Sequence, residues 1–189
     1  MKVLVACEYS GVVREAFRAR GHDAWSCDLL ESDDNSPYHI MGDATQLLDQ
    51  RWDMLIAHPP CTYLANSGVR WLYSDESRWE KMRDGAALFR AFWEASIPRI
   101  CIENPIMHGH AKNEVGCGQQ TQTIQPWQFG HGETKATCLW LKGLPPLVPT
   151  DIVEGREQRI WKLPPSADRW KERSKTFDGI AAAMASQWG

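Results

Sequence analysis

Short apolar runs, each followed by polar residues, recur along the first hundred positions of the chain. Residues 2–7 (KVLVAC), 24–27 and 54–57 have the length and composition of buried strands. Between the first two runs, a helix is predicted to begin at Gly11 and to end at Gly21. Its apolar face repeats every three to four residues and consists of Val12, Val13, Ala16 and Phe17. A strand, a helix and a strand within about 30 residues form the crossover unit of a parallel sheet.

The pattern then predicts a third short strand, a brief helix and one long helix. Residues 39–41 are the strand and residues 44–48 the brief helix. Ser74 or Asp75 caps the long helix, which extends to about Ser96. Its apolar residues fall at helical spacing and are therefore predicted to be core: Trp79, Met82, Ala86, Leu88, Phe89, Phe92 and Trp93. Residues 99–102 are the next strand.

The second half of the chain is less regular. Residues 106–122, rich in Gly, His and Asn, predict a mobile loop, and residues 145–165 are rich in proline. Residues 123–129 and 137–141 alternate enough to form an antiparallel edge hairpin. An alanine-rich helix over about 179–187 closes the chain. We therefore predict a single α/β domain over residues 1–189, with a mostly parallel sheet and an antiparallel edge hairpin.

Composition narrows the functional classes. The 189 residues suffice for one sizeable core, and a net charge of -3 supplies no global basic field for a polyanion. Ten tryptophans serve either as core or as platforms for stacked bases. The six cysteines form no CxxC pair, and Cys7, Cys27 and Cys101 lie in apolar runs, as small buried thiols do. Free thiols, no apolar leader and no run of membrane-spanning length predict a protein of the cytoplasm.

The candidate chemistry lies where two predicted strands stop at proline. In DMLIAHPPCTYLANSG (53–68) the strand ends at Pro59-Pro60, and the chain then presents Cys61. The later strand ends in Glu103-Asn104-Pro105. Open α/β folds place their chemistry at this carboxyl edge of the sheet. The alternatives are that Cys61 is a spare buried thiol and that Glu103 pairs with a nearby arginine.

Three further features carry weaker signals. Asp28 follows the second strand, where a nucleotide-binding crossover places an acceptor for ribose, although a surface acid explains it equally well. His58 adjoins the Cys61 loop and is interpreted as a structural histidine with satisfied hydrogen bonds. The His and Cys spacings match no metal-ligand set, so no metal site is predicted.

Taken together, these segments resemble the DNA cytosine-5 methyltransferases, in particular the compact members found in bacteriophages and prophages. HPPCTYLANSG resembles the Pro-Cys nucleophile loop of that family, and LFRAFWEASIPRICIENP resembles the helix and strand that lead to its Glu-Asn motif. FGHGETKATCLWL resembles the late Gln-Arg motif with its hairpin, and TFDGIAAAMASQWG resembles the closing helix. The resemblance implies a Rossmann-like fold that binds S-adenosylmethionine.

The resemblance also assigns roles. Cys61 would add to carbon 6 of cytosine, aided by a lowered pKa, and Glu103, at least partly protonated, would supply a proton to ring nitrogen 3. Asn104 would hold the loop or the ring edge, and Lys135 stands where the family has arginine, although a solvated hairpin charge explains it nearly as well. The cofactor would meet the first turn, the ends of the next strands, the proline loop and the last helix: Glu8, Tyr9, Ser10, Gly11, Asp28, Leu29, Asp43, Ala44, Pro59, Gly179 and Ile180.

Two departures from the family pattern leave the acceptor open. The first turn carries Cys7 and Glu8 where the family has more glycine and a phenylalanine. Residues 143–174 form a short irregular insert in place of a large target-recognition domain, a length too small for its own core. We therefore expect duplex or single-stranded DNA as the partner, with a homodimer or a second chain supplying recognition. RNA, a free pyrimidine nucleotide or a non-catalytic regulatory role are the alternatives.

Overall fold

The fold is built around one sheet of seven strands. A computed structural model describes all residues, Met1–Gly189. The strands are β1 (Lys2–Ala6), β2 (Asp23–Asp28), β3 (His39–Met41), β4 (Met54–Ala57), β5 (Ile100–Asn104), β6 (Gln122–Ile124) and β7 (Thr137–Lys142). Their order in the sheet is β3-β2-β1-β4-β5-β7-β6. Strands β1 to β5 pair in parallel, and β7 pairs antiparallel with both β5 and β6.

This topology confirms the predicted α/β fold with an antiparallel pair at one edge. The order reverses between β1 and β4, which makes a topological switch point at the carboxyl ends of these two strands. Open α/β sheets bind ligands in the crevice at such a point. The first turn and the Cys61 loop both leave the sheet there.

Helices cover both faces of the sheet. They are α1 (Val12–Arg18), α2 (Ser77–Glu94), α3 (Gly109–Val115), α4 (Arg159–Lys162), α5 (Arg169–Ser174) and α6 (Asp178–Trp188). One buried cluster packs α1 and α6 on one face of the sheet, and a second packs α2 and α3 on the other. The aromatic residues of α2 belong to the second cluster, with Phe89 and Phe92 fully buried, as the periodicity predicts. None of the helices combines the length and the apolarity that crossing a membrane requires.

Two predicted segments differ from the structure. Residues 106–122 are not one irregular loop, because α3 forms there and buries Ala111 and Val115. The strand predicted over 123–129 stops at Ile124, and Pro126–Gln128 form a 3₁₀ turn instead. A second 3₁₀ segment, Asn66–Tyr73, follows the Cys61 loop.

The end of the short insert lies over the first turn. Residues 169–176, which we call the strap, contain α5 and contact Tyr9. The Tyr9 hydroxyl lies 3.2 Å from the Lys171 carbonyl oxygen and 3.0 Å from Ser174 Oγ, and the Trp170 ring packs against its ring. Lys175 forms a 2.9 Å ion pair with Asp33. These contacts attach the strap to the first turn, which lies at the switch point.

Candidate active site

A cavity of about 120 Å³ lies at the switch point. Five segments that are distant in sequence line it: the first turn, the loop after β4, the end of β5, the pair Lys135-Ala136 and the strap. Of the predicted site residues, it brings together Cys61, Glu103, Asn104, Lys135, Pro59, Glu8, Tyr9 and Ser10. The two strands that end at proline therefore meet at this cavity, as the sequence predicts.

The pairing of β4 with β5 explains how the cavity is built. Ala57 is paired with Ile102, so the next positions, His58 and Glu103, lie side by side. His58 Nδ1 is 3.2 Å from Glu103 Oε2. One position further, the fully buried Asn104 donates from Nδ2 to the Pro59 carbonyl at 3.1 Å. Asn104 thus holds the loop, one of its two predicted roles.

The chain beyond Cys61 is fixed to the chain beyond β5. The backbone N–H groups of Leu64 and Ala65 both donate to the Cys61 carbonyl, which makes a tight turn at the thiol. Ala65 pairs with Met107 in an isolated bridge, and the buried His108 lies 3.0 Å from the Tyr63 carbonyl oxygen. These contacts hold the Cys61 and Glu103 segments in a fixed relative position.

The environment of Cys61 opposes formation of the thiolate. Burial and the negative charge of Glu103 raise the pKa of the Cys61 thiol, while Lys135 acts in the opposite direction. The sequence-based expectation of a lowered pKa is therefore wrong for the protein without substrate. The reason is desolvation, which disfavours the charged form and depends on tertiary packing.

Glu103 is ionised rather than protonated. Burial raises the pKa of its carboxyl, but the hydrogen bond from His58 and the charge of Lys135 outweigh this effect, so that the pKa is lowered overall. The expected partly protonated carboxyl is therefore corrected. Its partner is His58 and not the arginine of the alternative interpretation. Lys135 is no freely solvated hairpin charge either, because its Nζ donates to the Lys175 carbonyl at 3.2 Å.

Two side chains of the first turn, Glu8 and Tyr9, already make contacts within the protein. Glu8 is buried and accepts hydrogen bonds from the backbone N–H groups of Val13 (2.7 Å) and Arg14 (3.2 Å), so it caps α1. Burial raises the pKa of the Glu8 carboxyl despite these bonds and the nearby charge of His58. Gly11 has φ of 73°, a left-handed conformation that favours glycine. Tyr9 contacts the strap, which leaves Ser10 as the turn residue with a free hydroxyl.

The predicted ribose and adenine contacts lie outside the cavity, beside it. Asp28 stands at the end of β2 and Asp43 follows β3; each accepts a local backbone hydrogen bond through one oxygen only. Leu29 and Met41 are 75% and 63% exposed beside these acids, and Ala44 is buried behind them. Burial and the negative charges of Asp28 and Asp43 together raise the pKa of the Cys7 thiol to about 12. Since Cys7 lines the cavity, the acids adjoin it.

Gly179 does not line the cavity, and Ile180 lines only a small second cavity that shares Glu103, Lys135 and Thr176 with it. A Cβ on Gly179 would lie 1.8 Å from the Phe129 carbonyl oxygen, so this glycine permits close packing of α6. Ile180 is buried against the sheet. Packing accounts for both positions, and their contact with a cofactor stays a prediction.

Eight of the residues that line the cavity were not predicted as site residues: Cys7, His58, Pro60, Pro105, Ala136, Arg173, Ser174 and Thr176. His58 is not a satisfied structural histidine, because its buried Nε2 has no hydrogen-bond partner. Cys7 is a cavity residue with φ of 58° rather than a core thiol, whereas Cys27 and Cys101 are buried as predicted. Arg173 and Thr176 reach the cavity from the strap. Only His58 carried a sequence signal, its position directly before Pro-Pro-Cys. No group of three or more His, Cys, Asp or Glu side chains is placed to hold a metal ion.

Comparisons with known proteins show which solved structures share this fold. No protein-family model and no curated protein matches the amino-acid sequence. Among solved structures, the chain is similar to a DNA modification methyltransferase encoded within an E. coli prophage, with a TM-score of 0.54, 17% identity, and coverage of 82% of this chain and 52% of that one. It is also similar to the Entamoeba histolytica methyltransferase EhMeth, with a TM-score of 0.50, 14% identity, and coverage of 84% and 57%. The chain spans about half the length of these structures. It has the fold of the S-adenosylmethionine-dependent methyltransferases, and DNA modification methyltransferases are among the structures that share it.

Proposed function

We propose that this chain transfers a methyl group from S-adenosylmethionine to carbon 5 of cytosine in DNA through a covalent bond to Cys61. The observation that carries the proposal is the single cavity that contains Cys61, Glu103, Asn104 and Lys135. A thiol and a carboxyl facing one small space are what activation of a pyrimidine ring requires, because carbon 5 alone is too weak a nucleophile.

Each residue then has a task that fits its contacts. Cys61 adds to carbon 6 of the ring, which moves electron density toward carbon 5 and nitrogen 3. Glu103 holds the nitrogen-3 edge, where a proton is needed as charge accumulates. Lys135 offsets the negative charge of the carboxylate and of the forming thiolate, consistent with its lowering effect on the pKa of both groups. Asn104 keeps Pro59 and the thiol loop in place.

The residues beside the cavity fit the cofactor. When bound, S-adenosylmethionine supplies a methyl group on a positively charged sulfur. Free carboxylate oxygens of Asp28 and Asp43 suit ribose hydroxyls and an adenine amino group, and the exposed side chains of Leu29 and Met41 suit the faces of the adenine ring. Ser10 and Pro59 would hold the methionine end. A cavity of about 120 Å³ is smaller than the roughly 300–1,000 Å³ of whole-ligand sites, so the adenosine belongs outside it.

The strap supports DNA as the acceptor. Arg173 lines the cavity, and Lys171 lies in the same helix, where both can meet phosphates. Trp170, whose ring packs against the cavity residue Tyr9, is 47% exposed, and indole rings stack on unpaired bases. A base in a duplex would have to leave the stack to reach Cys61. The small insert argues for weak sequence specificity, or for recognition by a second chain.

A labelled-methyl transfer assay tests the proposal. Wild-type protein and Cys61→Ser are incubated with labelled S-adenosylmethionine and, in parallel, with DNA, RNA or dCMP. We expect label in DNA with the wild-type protein alone. Label only in RNA or dCMP would establish the alternative acceptor, and equal transfer by Cys61→Ser would refute the covalent mechanism. Absence of both transfer and S-adenosylhomocysteine binding would favour the non-catalytic role.

A further inference from the structure

His58 is the one cavity side chain that pairs with the proposed acid and has an unused nitrogen. Its Nδ1 lies 3.2 Å from Glu103 Oε2, and because an ionised carboxylate only accepts, Nδ1 carries the hydrogen. The side chain is nine-tenths buried, with 9% exposed. Its Nε2 is buried without any hydrogen-bond partner. An orphaned imidazole nitrogen in a cavity wall costs stability, which suggests that it has a use.

The proposed reaction needs a proton that Glu103 does not hold. Addition of the thiolate to carbon 6 requires protonation at nitrogen 3, yet the His58 hydrogen bond and the charge of Lys135 keep the Glu103 pKa low against the effect of burial. An ionised carboxylate cannot donate. The proton must therefore reach Glu103 from a neighbour, and His58 is the neighbour hydrogen-bonded to it.

We propose that His58 and Glu103 form a relay in which a proton enters at His58 Nε2 and leaves from Nδ1 through Glu103 to nitrogen 3 of the substrate ring. This inference rests on the proposed function. Water gives a proton to Nε2; the Nδ1–H proton moves to Glu103 Oε2; Glu103 passes its proton to nitrogen 3 as the Cys61 sulfur–carbon bond forms. The thiol proton of Cys61 is lost to solvent. After methyl transfer to carbon 5, loss of the carbon-5 proton to solvent expels the Cys61 sulfur as the sulfur–carbon bond breaks, and the proton on nitrogen 3 returns by the same path.

The surroundings of His58 include two carboxyl groups. Glu103 is hydrogen-bonded to it from β5, and Glu8 of the first turn lines the same cavity and interacts with it electrostatically. The other titratable or charged groups of the cavity wall are Cys7, Tyr9, Cys61, Lys135 and Arg173.

The test is the rate of covalent adduct formation on DNA that contains 5-fluorocytosine, with S-adenosylmethionine present, from about pH 5 to pH 8. Asparagine places an N–H where Nδ1 stands but cannot pass a proton on. At the low end of this range we expect His58→Asn to form the Cys61 adduct about 100-fold more slowly. Because the thiolate fraction of Cys61 grows with pH, the wild-type rate should rise and then level off where an imidazole loses its proton, whereas the His58→Asn rate should keep rising. His110→Asn, the same change at an exposed histidine outside the cavity, should leave rate and pH profile unchanged.

Three results would overturn the relay. One is a His58→Asn rate within threefold of the wild-type rate; another is a rate reduced by the same factor at every pH, as expected if His58 only positions Glu103. The third is an additive loss in the double variant with Glu103→Gln, since two members of one relay fail as a unit. A melting curve for each variant separates misfolding from lost proton transfer. If the wild-type protein forms no adduct that Cys61→Ser lacks, the proposed function itself fails and the relay with it.

Discussion

Replacing Asn104 by alanine should separate stability from activity. The residue is fully buried, donates once to the Pro59 carbonyl, and leaves its side-chain oxygen without a partner. Loss of the hydrogen bond costs about 1 kcal/mol, and loss of packing adds a similar amount, whereas removing a desolvated, unpaired oxygen returns about 1–3 kcal/mol. The free energy of unfolding should thus stay within about 1 kcal/mol of the wild-type value, a shift of under roughly 4 °C in Tm.

Activity should respond very differently. Without the Asn104 amide, the Pro59 carbonyl loses its hydrogen bond to β5, so the thiol loop can shift at its proline end although the contacts beyond Cys61 remain. A displacement of about 1 Å of a reacting group costs on the order of 100-fold in rate. We therefore expect methyl transfer and Cys61 adduct formation to fall by about that factor, with S-adenosylhomocysteine affinity little changed.

A matched variant in the same strand makes the comparison strict. Ile102 is also fully buried, two residues away in β5, and belongs to the apolar cluster. Ile102→Ala should lose about 2–5 kcal/mol, measured as a lower midpoint in urea unfolding. If Asn104→Ala were as unstable as Ile102→Ala, the side-chain oxygen would have a structural partner, and the assignment of this residue to function would be wrong.

Three other properties can be measured without assuming the reaction. Lys135→Met should slow alkylation of Cys61 by iodoacetamide at every pH below the thiol's raised pKa, because Lys135 favours the thiolate; peptide mass spectrometry follows the rate. Tyr9→Phe should speed hydrogen exchange in the strap about tenfold with little change in global stability, since roughly 1.4 kcal/mol of hydrogen bonding is lost. Gly179→Ala should destabilise the protein by at least about 3 kcal/mol in urea unfolding, because the new methyl group meets the Phe129 carbonyl.

Each of these three predictions has a control variant or a control measurement. Glu103→Gln removes the charge that opposes the thiolate and should speed Cys61 alkylation, so equal slowing in both variants would contradict the electrostatic account. Exchange in α2 should not change in Tyr9→Phe; a global increase would mean that the strap is not a local unit. A Cβ on Gly109 meets no atom within 4 Å, so Gly109→Ala should be neutral or slightly stabilising.

The sequence predicted the sheet well because its strands are short, nearly uninterrupted apolar runs, which leave little ambiguity. It missed α3 because only Ala111 and Val115 of that helix are buried, too few to produce a periodic signal. It placed Cys61 and Glu103 at one edge because parallel strands end together. What it could not supply was charge state: the pKa shifts of both groups follow from desolvation and from neighbours that are distant in sequence.

The hydrogen-bonding state of His58 could not be predicted from the sequence pattern. Whether a histidine is satisfied depends on which residue stands opposite it, and that follows from the register of β4 against β5. A slip of one residue would turn Glu103 to the other face of the sheet. The contact between the strap and Tyr9 could not be predicted from the sequence either. It joins residues more than 160 positions apart and consists of single hydrogen bonds.

The exposed stretch Pro164 to Asp168 has a consequence for engineering. Its five residues lie on the surface between α4 and α5, away from the sheet. Loop tips of this kind accept foreign domains with little cost to the host. A zinc-finger array or another DNA-addressing module inserted here would leave the strands untouched, which would make the small scaffold a programmable carrier of whatever chemistry it performs.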